Sequence, residues 1–399
     1  MKQIIFKGGK YLTLDKKIPT MNAVLITDGT ITASADAFIL EEIAPDAEVI
    51  DLKGKTLIPA FTETCSSFYK TAFELLSDGK YNSLNDAIAF LSNAYLNAGI
   101  TTAAVPNIGY EDYELLRAAD EAGALNIDLA VYFDLSAAEA LLPSQLAVDN
   151  SYTSHIRPAG VSIVVDNLTS ETSLTETFAD IIGRHYQAMV FVDSRDAIDI
   201  ALNSYRDALI AVNGSKTMED GEEKPKIYED LRPIIVGGAY LDNSQLTLLQ
   251  SLGFTVSFSH DNIYSRGDEY LSSLESDIYE NLYPLRSIVK RGMAFSVSHF
   301  ESVGVPDECA TMFVATHRNT SGGMAVGFEQ SINTDQALFA QTLFGSYQLF
   351  EDLYKGSLTM TKKADLVVLD NNPLEQNADT LKSTHVVMTV KNGEIVYKA

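Results

Sequence analysis

The segment Leu57-Ile58-Pro59-Ala60-Phe61-Thr62-Glu63-Thr64-Cys65-Ser66-Ser67 sets a carboxylate, a thiol and hydroxyls side by side. On an extended strand residues i and i+2 project to the same side, so Cys65 and Ser67 are expected to share one face. Two histidines at that spacing would offer two ligands to one ion. Here the positions hold a thiol, which as thiolate binds zinc, and a hydroxyl, which is a poor ligand. Cys65 beside Glu63 also reads as a catalytic thiol if a base such as His260 or His299 approaches it; a buried, inert cysteine is the competing reading. Asn107, Asp134, Asp166, Asp193, His260, Asp261, His299 and Glu301 lie at or just past predicted strand ends. There they could build an acid/base pair or a carboxylate-rich metal site. Loops that simply meet water would be equally polar. His155, His185, His317 and His385 read as structural.

The elements that must position these groups come in two rhythms. Both ends of the chain are β-rich. Gln3–Phe6, Tyr11–Leu14 and Ala23–Ile26 read as strands, with a hairpin at Asp28-Gly29, and Glu48–Leu52 and Lys55–Ile58 follow. Ala364–Asp370, Val386–Val390 and Ile395–Tyr397 repeat the pattern at the other end, with a turn at Asn392-Gly393. The middle alternates short apolar strands with amphipathic helices. Strands are read at Leu57–Glu63, Thr101–Pro106, Leu129–Phe133, Val161–Val165, Ala188–Val192, Arg232–Val236, Thr255–Ser259 and Ala294–Ser298. Helices are read at Leu84–Ala98, Tyr113–Ala122, Leu174–Arg184 and Ala197–Val212. Eight such units give an α/β fold, a (β/α)8 barrel over 57–351, with one composite β-sandwich from residues 1–56 and 352–399. No Gly-rich phosphate fingerprint follows the first strand, which argues against a doubly wound sheet. Ser215 to Lys226 reads as a solvated loop.

Asp and Glu number 54 against 29 Lys and Arg, a formal net charge of -25. Such a surface repels phosphate backbones and anionic lipid, so nucleic-acid and membrane roles are disfavoured. No apolar run approaches the roughly 20 residues of a membrane span, and no secretory signal pattern opens the chain. Two cysteines far apart exclude a disulfide framework. A soluble cytoplasmic protein is expected, with no cofactor, a small-molecule ligand at the barrel mouth and scope for a homo-oligomer.

Several motifs together resemble the amidohydrolase superfamily, in the branch that contains N-substituted formamide deformylases. Pro59 and Phe61 match its opening Pro-Gly-Phe-Ile-Asp-x-His-x-His, with Glu63 for the Asp. Val24 to Gly29, Val49 to Leu52, Lys355-Gly356-Ser357-Leu358 and Ala364 to Asp370 are similar to the entry and exit strands. Ala98 to Thr102 and Tyr283 to Ser287 are also family-like, whereas the extra segment usual after the first barrel strand is missing. The resemblance implies hydrolysis of non-peptide C–N bonds at a metal centre. It also implies where the ligands belong: Cys65 and Ser67 at the two first-strand histidines, Ser162 at a lysine that can be carboxylated, Phe191 and Gly238 at two more histidines. Phe300 falls on the eighth-strand Asp, with His299 there after a one-residue slip. Without those ligands the family's hydrolysis lacks both nucleophile and charge stabilisation.

Three readings follow. The first is a pseudo-hydrolase that keeps a small-molecule pocket. The second is an active hydrolase rebuilt around Glu63, Asp166, His260 or His299, and the third is a non-catalytic subunit or scaffold.

Overall fold

The structure, a computed structural model, describes residues 1–140, 152, 154–218, 223–300 and 304–399. Eight parallel strands run through the middle of the chain: Phe61–Glu63, Ile100–Ile108, Asp128–Phe133, Ile156–Val165, Gln187–Val192, Ile234–Gly237, Thr255–Phe258 and Phe295–Val297. They are barrel strands one to eight, and each pairs parallel with the next, with register shifts in the pairings of one with two, two with three and three with four. Their residues divide with a period of two. Val190, Val192 and Ile235 face outward into the layer beneath the helices. Met189, Phe191, Ile234 and Val236 face the lumen, where alanines at 104, 130 and 159 leave room for them. Large residues opposite small ones fill the barrel interior.

Strands one and eight share no backbone ladder among the described residues. Side chains close that seam instead. The Thr64 hydroxyl lies 2.7 Å from Ser257 Oγ, 2.6 Å from Ser296 Oγ and 2.8 Å from the Val297 carbonyl. The outer helices begin where the sequence supplies caps: Ser83, Ser170 and Ser194 accept from backbone N–H groups, and Asp242 forms a full capping box.

The terminal segments form two sheets. One holds Gln3–Lys7, Ala23–Thr27, Thr30–Ala35 and Glu48–Asp51; the other holds Lys10–Tyr11, Thr56–Pro59, Leu366–Leu369, Val386–Lys391 and Glu394–Lys398. Phe6, Val24 and Ile26 of the first pack on Leu57, Leu366, Val368 and Val390 of the second. The run Leu57–Glu63, read as one barrel strand, is split. Thr56–Pro59 pairs antiparallel with Leu366–Leu369, and only Phe61–Glu63 joins the barrel. Pro59 and Ala60 make the crossing, because a proline that lacks its N–H cannot serve both ladders. Tyr11–Leu14 is likewise shorter, pairing only at Lys10–Tyr11. An unforeseen helix, Ala37–Ile43, covers the outer face of the first sheet with Leu40. Ser215 to Lys226 is not wholly a loop, since Ser215–Thr217 pairs with Glu223–Pro225. Among the described residues no helix is long and apolar enough to cross a membrane.

The N-terminal end of the barrel, its floor, is closed by charge. Lys355 Nζ lies 3.1 Å from Asp128, 3.1 Å from Glu351 and 3.7 Å from Asp365, and it donates to Thr102 Oγ1 at 2.7 Å. Arg157 meets Glu351 at 3.1 Å, and Lys391 meets Asp128 at 2.6 Å. None of these six charged residues is more than 5% exposed. Burial pushes the Asp128 carboxyl up, but Lys355, a hydrogen bond from His155 and Lys391 outweigh it and hold Asp128 well below the carboxylate range. Burial opposes the Lys355 charge, yet the carboxylates of Glu351, Asp128 and Asp365 raise it well above its ordinary value.

Candidate functional site

At the opposite end, the mouth, barrel strand one delivers Glu63 directly to the turn after strand eight. Glu63 Oε1 accepts the backbone N–H groups of Cys65 at 3.2 Å and His299 at 3.1 Å. Glu63 Oε2 lies 2.6 Å from His299 Nδ1. His299 Nε2 is 2.8 Å from Thr311 Oγ1, whose own hydrogen goes to the Asp307 carbonyl at 2.9 Å. Thr311 can therefore only accept from the imidazole, so both ring nitrogens of His299 carry protons. The electrostatics agree: burial lowers the proton affinity, but the charge and hydrogen bond of Glu63 override it and push the imidazole up to about 10.

Glu308 opens the helix Glu308–His317 and completes the group. One ligand atom each from Glu63, His299 and Glu308 lies within 4.8 Å of the others, all three residues being buried. Burial pushes the Glu308 carboxyl up to about 8, the His299 charge opposing and the Glu63 charge assisting. Gln341 Nε2 donates to Glu308 Oε2 at 2.5 Å. His260 stands behind this group. Its Nε2 donates to the Thr311 carbonyl at 3.3 Å, and burial together with the Arg318 charge brings it down to about 3. Two neighbouring imidazoles are thus held in opposite states, His299 charged and His260 neutral.

The other sequence candidates fare differently. Cys65 is fully buried in the lumen beside Ala104, Tyr132 and Phe191. Burial, then the Glu63 charge, raises its thiol well above the ordinary value, so it is no activated nucleophile. Asp166 is exposed and occupied with its own turn, accepting from Leu168 N at 2.9 Å and Thr169 Oγ1 at 2.8 Å. Asn107 donates its N–H to Ser162 Oγ, and Asp134 accepts from Ala137 N. Glu301 lies outside the described residues. The remaining histidines all have partners: His155 with Asp128, His185 with Glu229, His317 with Thr316 and stacked on Phe313, His385 with Asp370.

The positions that the resemblance marks for metal ligands do not come together as one set. Phe191 and Phe300 do meet, ring centroids 4.8 Å apart, in one apolar cluster with Cys65. Ser162 Oγ accepts from Asn107 N at 2.9 Å and donates to the Phe133 carbonyl at 3.1 Å, tying strands two, three and four. Ser67 precedes the helix Phe68–Ser77 and bonds Thr71 at 3.2 Å. Gly238 is turned away. Its φ of +62° would aim a Cβ at Leu241, Val256 and Ile235, behind the barrel wall, while Gly237 lines the mouth. A strand's two-residue period places 238 with Val236, but the strand ends at Gly237 and the left-handed backbone reverses the direction. What remains at the mouth is a recess of about 170 Å³ between Phe191, Phe300, Val165, Val192 and Val236, with Asp166 and Asp193 beside it. A second cavity, of about 240 Å³, lies on the flank and is lined by His299, Thr311, Tyr264, Phe313 and Lys382.

Glu308 and Thr311 are the site residues that sequence reasoning missed. Their i, i+3 spacing places them on one helix face, and Asp307, which accepts from Ala310 N, marks the helix start.

A model of the amidohydrolase family matches residues 70–397. An N-substituted formamide deformylase from Arthrobacter pascens is 25% identical over 124 residues, which is 31% of this chain and 23% of that protein's length. Among solved structures, an uncharacterized metal-dependent hydrolase from Pyrococcus horikoshii OT3 superposes with a TM-score of 0.77 at 12% identity, over 95% of this chain and 99% of the other. An atrazine chlorohydrolase from Arthrobacter aurescens TC1, complexed with zinc, gives 0.69 at 12% identity over 99% and 95%.

Proposed function

Because the chain belongs to the amidohydrolase family, we propose that it keeps the family barrel and a small-molecule recess at the mouth but has given up metal-assisted C–N hydrolysis there. The observation that carries this reading is the contact of Phe191 with Phe300. At the positions where the resemblance calls for a histidine and an Asp, two rings offer no lone pair and fill the space. Ser162 has both its hydrogen bonds committed, and the Cys65 thiol stays protonated. These side chains do not fit the metal that the family implies.

The recess suits one apolar or aromatic group of about a single ring's size, because burying an unpaired charge among Phe191, Phe300 and Val236 is costly. Two buried free cysteines are in keeping with a reducing cytoplasmic location. The grouping of Glu63, His299 and Glu308 favours a second reading, a hydrolase whose site was rebuilt. One assay separates the two. The chain is incubated with a panel of amides, formamides and cyclic ureides, beside Glu63→Gln and His299→Ala variants. No turnover is expected from any of them. Metal-independent turnover by the unaltered chain that disappears in either variant would overturn the non-hydrolytic reading.

A further inference from the structure

Two buried acceptors beside Glu63, His299 and Glu308 have no donor. His260 spends its Nε2 hydrogen on the Thr311 carbonyl, and its Nδ1 is left as a bare lone pair. Gln341 gives its amide hydrogens to Glu308, and its Oε1 has no partner. Buried polar atoms are almost always satisfied, so two unsatisfied acceptors bonded to the same small group of residues point to a missing occupant that is positive or brings hydrogens. Two carboxylates and an imidazole already supply donor atoms within 4.8 Å of one another.

We propose that Glu63, His299 and Glu308 bind one divalent first-row transition ion, which displaces one imidazole proton of His299 and the carboxyl proton of Glu308 to solvent and staples the seam between barrel strands one and eight to the helix Glu308–His317. The donor set selects the ion class. A mixed set of one nitrogen and two carboxylates suits zinc, manganese or iron, whereas calcium and magnesium prefer oxygen throughout. Water on the ion would satisfy His260 Nδ1 and Gln341 Oε1. The location explains the purpose. Among the described residues strands one and eight share no backbone ladder, and Glu63 already bridges them through the N–H and imidazole of His299. Glu308 adds a third anchor from a helix beyond the barrel wall. Entry is from the flank, where His299 and Thr311 line the 240 Å³ cavity, and not past the rings at the mouth. Neither Cys65, Ser67, Ser162, Phe191 nor Gly238 takes part; of the positions that the family pattern marks, this site shares only His299, through its one-residue slip.

The test uses the full chain after chelator treatment, titrated calorimetrically with zinc chloride and with manganese chloride. One equivalent is expected to bind and to raise the unfolding temperature. Glu308→Gln, which keeps an amide in place beside Gln341, should weaken binding at least tenfold, while Cys65→Ser should leave it within about threefold. X-ray absorption of the zinc-loaded chain should show nitrogen and oxygen neighbours. Failure to bind either ion, indifference to Glu308→Gln, or sulfur in the first shell would overturn the proposal. If ion-dependent hydrolysis appeared and vanished in Glu308→Gln, the non-hydrolytic reading would fall and this ion site would stand.

Discussion

The two ends of the barrel bury opposite things. The floor buries six charged residues, three acids and three bases, in contact with one another. The mouth, where a barrel of this kind carries its chemistry, sets the buried ring of Phe191 against the half-buried ring of Phe300, with a buried Glu–His–Glu group nearby. Ionisable groups displaced from their usual state are commonly a pointer to function. Here the densest set lies at the structural end, where Lys355 joins barrel strand three to the terminal sheets through Asp128 and Asp365. Burial and perturbation alone do not locate an active site. The end of the strands at which they occur decides how they are read.

The largest expected effect breaks the floor. Lys355→Met leaves Asp128, Glu351 and Asp365 without their shared cation and should cost about 3–5 kcal/mol in urea unfolding. Lys391→Met, which leaves Lys355 in place, should cost less and keeps the comparison measurable if the first variant fails to fold. The same network sets an acid limit. Asp128 and Glu351 both titrate below their unfolded values of 3.8 and 4.5, so their contribution is full above that range and drains as pH falls through the lower folded values. Stability should fall steeply below about pH 4, and less steeply in Lys391→Met. A floor that loses under about 1 kcal/mol in Lys355→Met would not be a charge lock.

At the mouth the expected effect is one of packing. Phe191→Ala should cost about 3 kcal/mol and enlarge the recess, since a buried ring is removed from a lumen that cannot fully close. Binding of a small apolar probe, followed by calorimetry, should tighten or gain a second equivalent. Unchanged stability and unchanged binding would mean that the two rings do not fill this end. The smallest effect is expected at Asp166, exposed and engaged only with its own turn. Asp166→Asn should change stability by less than about 1 kcal/mol and leave probe binding alone. A larger loss of binding would make the rim of the recess part of the recognition surface.

Much of this was legible in the chain. The eight strand positions follow from short apolar runs between amphipathic helices, and all eight begin within about five residues of where the pattern puts them. Leu57–Glu63 differs in extent, one continuous apolar run being divided between two sheets, which periodicity cannot reveal. Of the site candidates, Glu63 and His299 meet, while the Cys65 side chain joins the apolar lumen cluster, only its backbone N–H reaching Glu63, and Asp166 is exposed. The one-residue choice between His299 and Phe300 resolves with each in its own role, one on Glu63 and one on Phe191. Gly238 was misplaced because a left-handed residue ends the strand's alternation, and a glycine advertises that freedom without saying which way it is used. The floor went unread because its six members are scattered from Asp128 to Lys391, and only the three-dimensional fold brings them together.

The division of the chain at Ala60 bears on how the protein is made. Thr56–Pro59 lies between Lys10–Tyr11 and Leu366–Leu369, so one edge of that strand has no partner until the C-terminal strands leave the ribosome. At ordinary synthesis rates the roughly 300 intervening residues take about 15 to 60 s. Throughout that interval an apolar strand edge is open to other chains. Newly made protein is therefore expected to depend on chaperones at a stage when most of the barrel is already present.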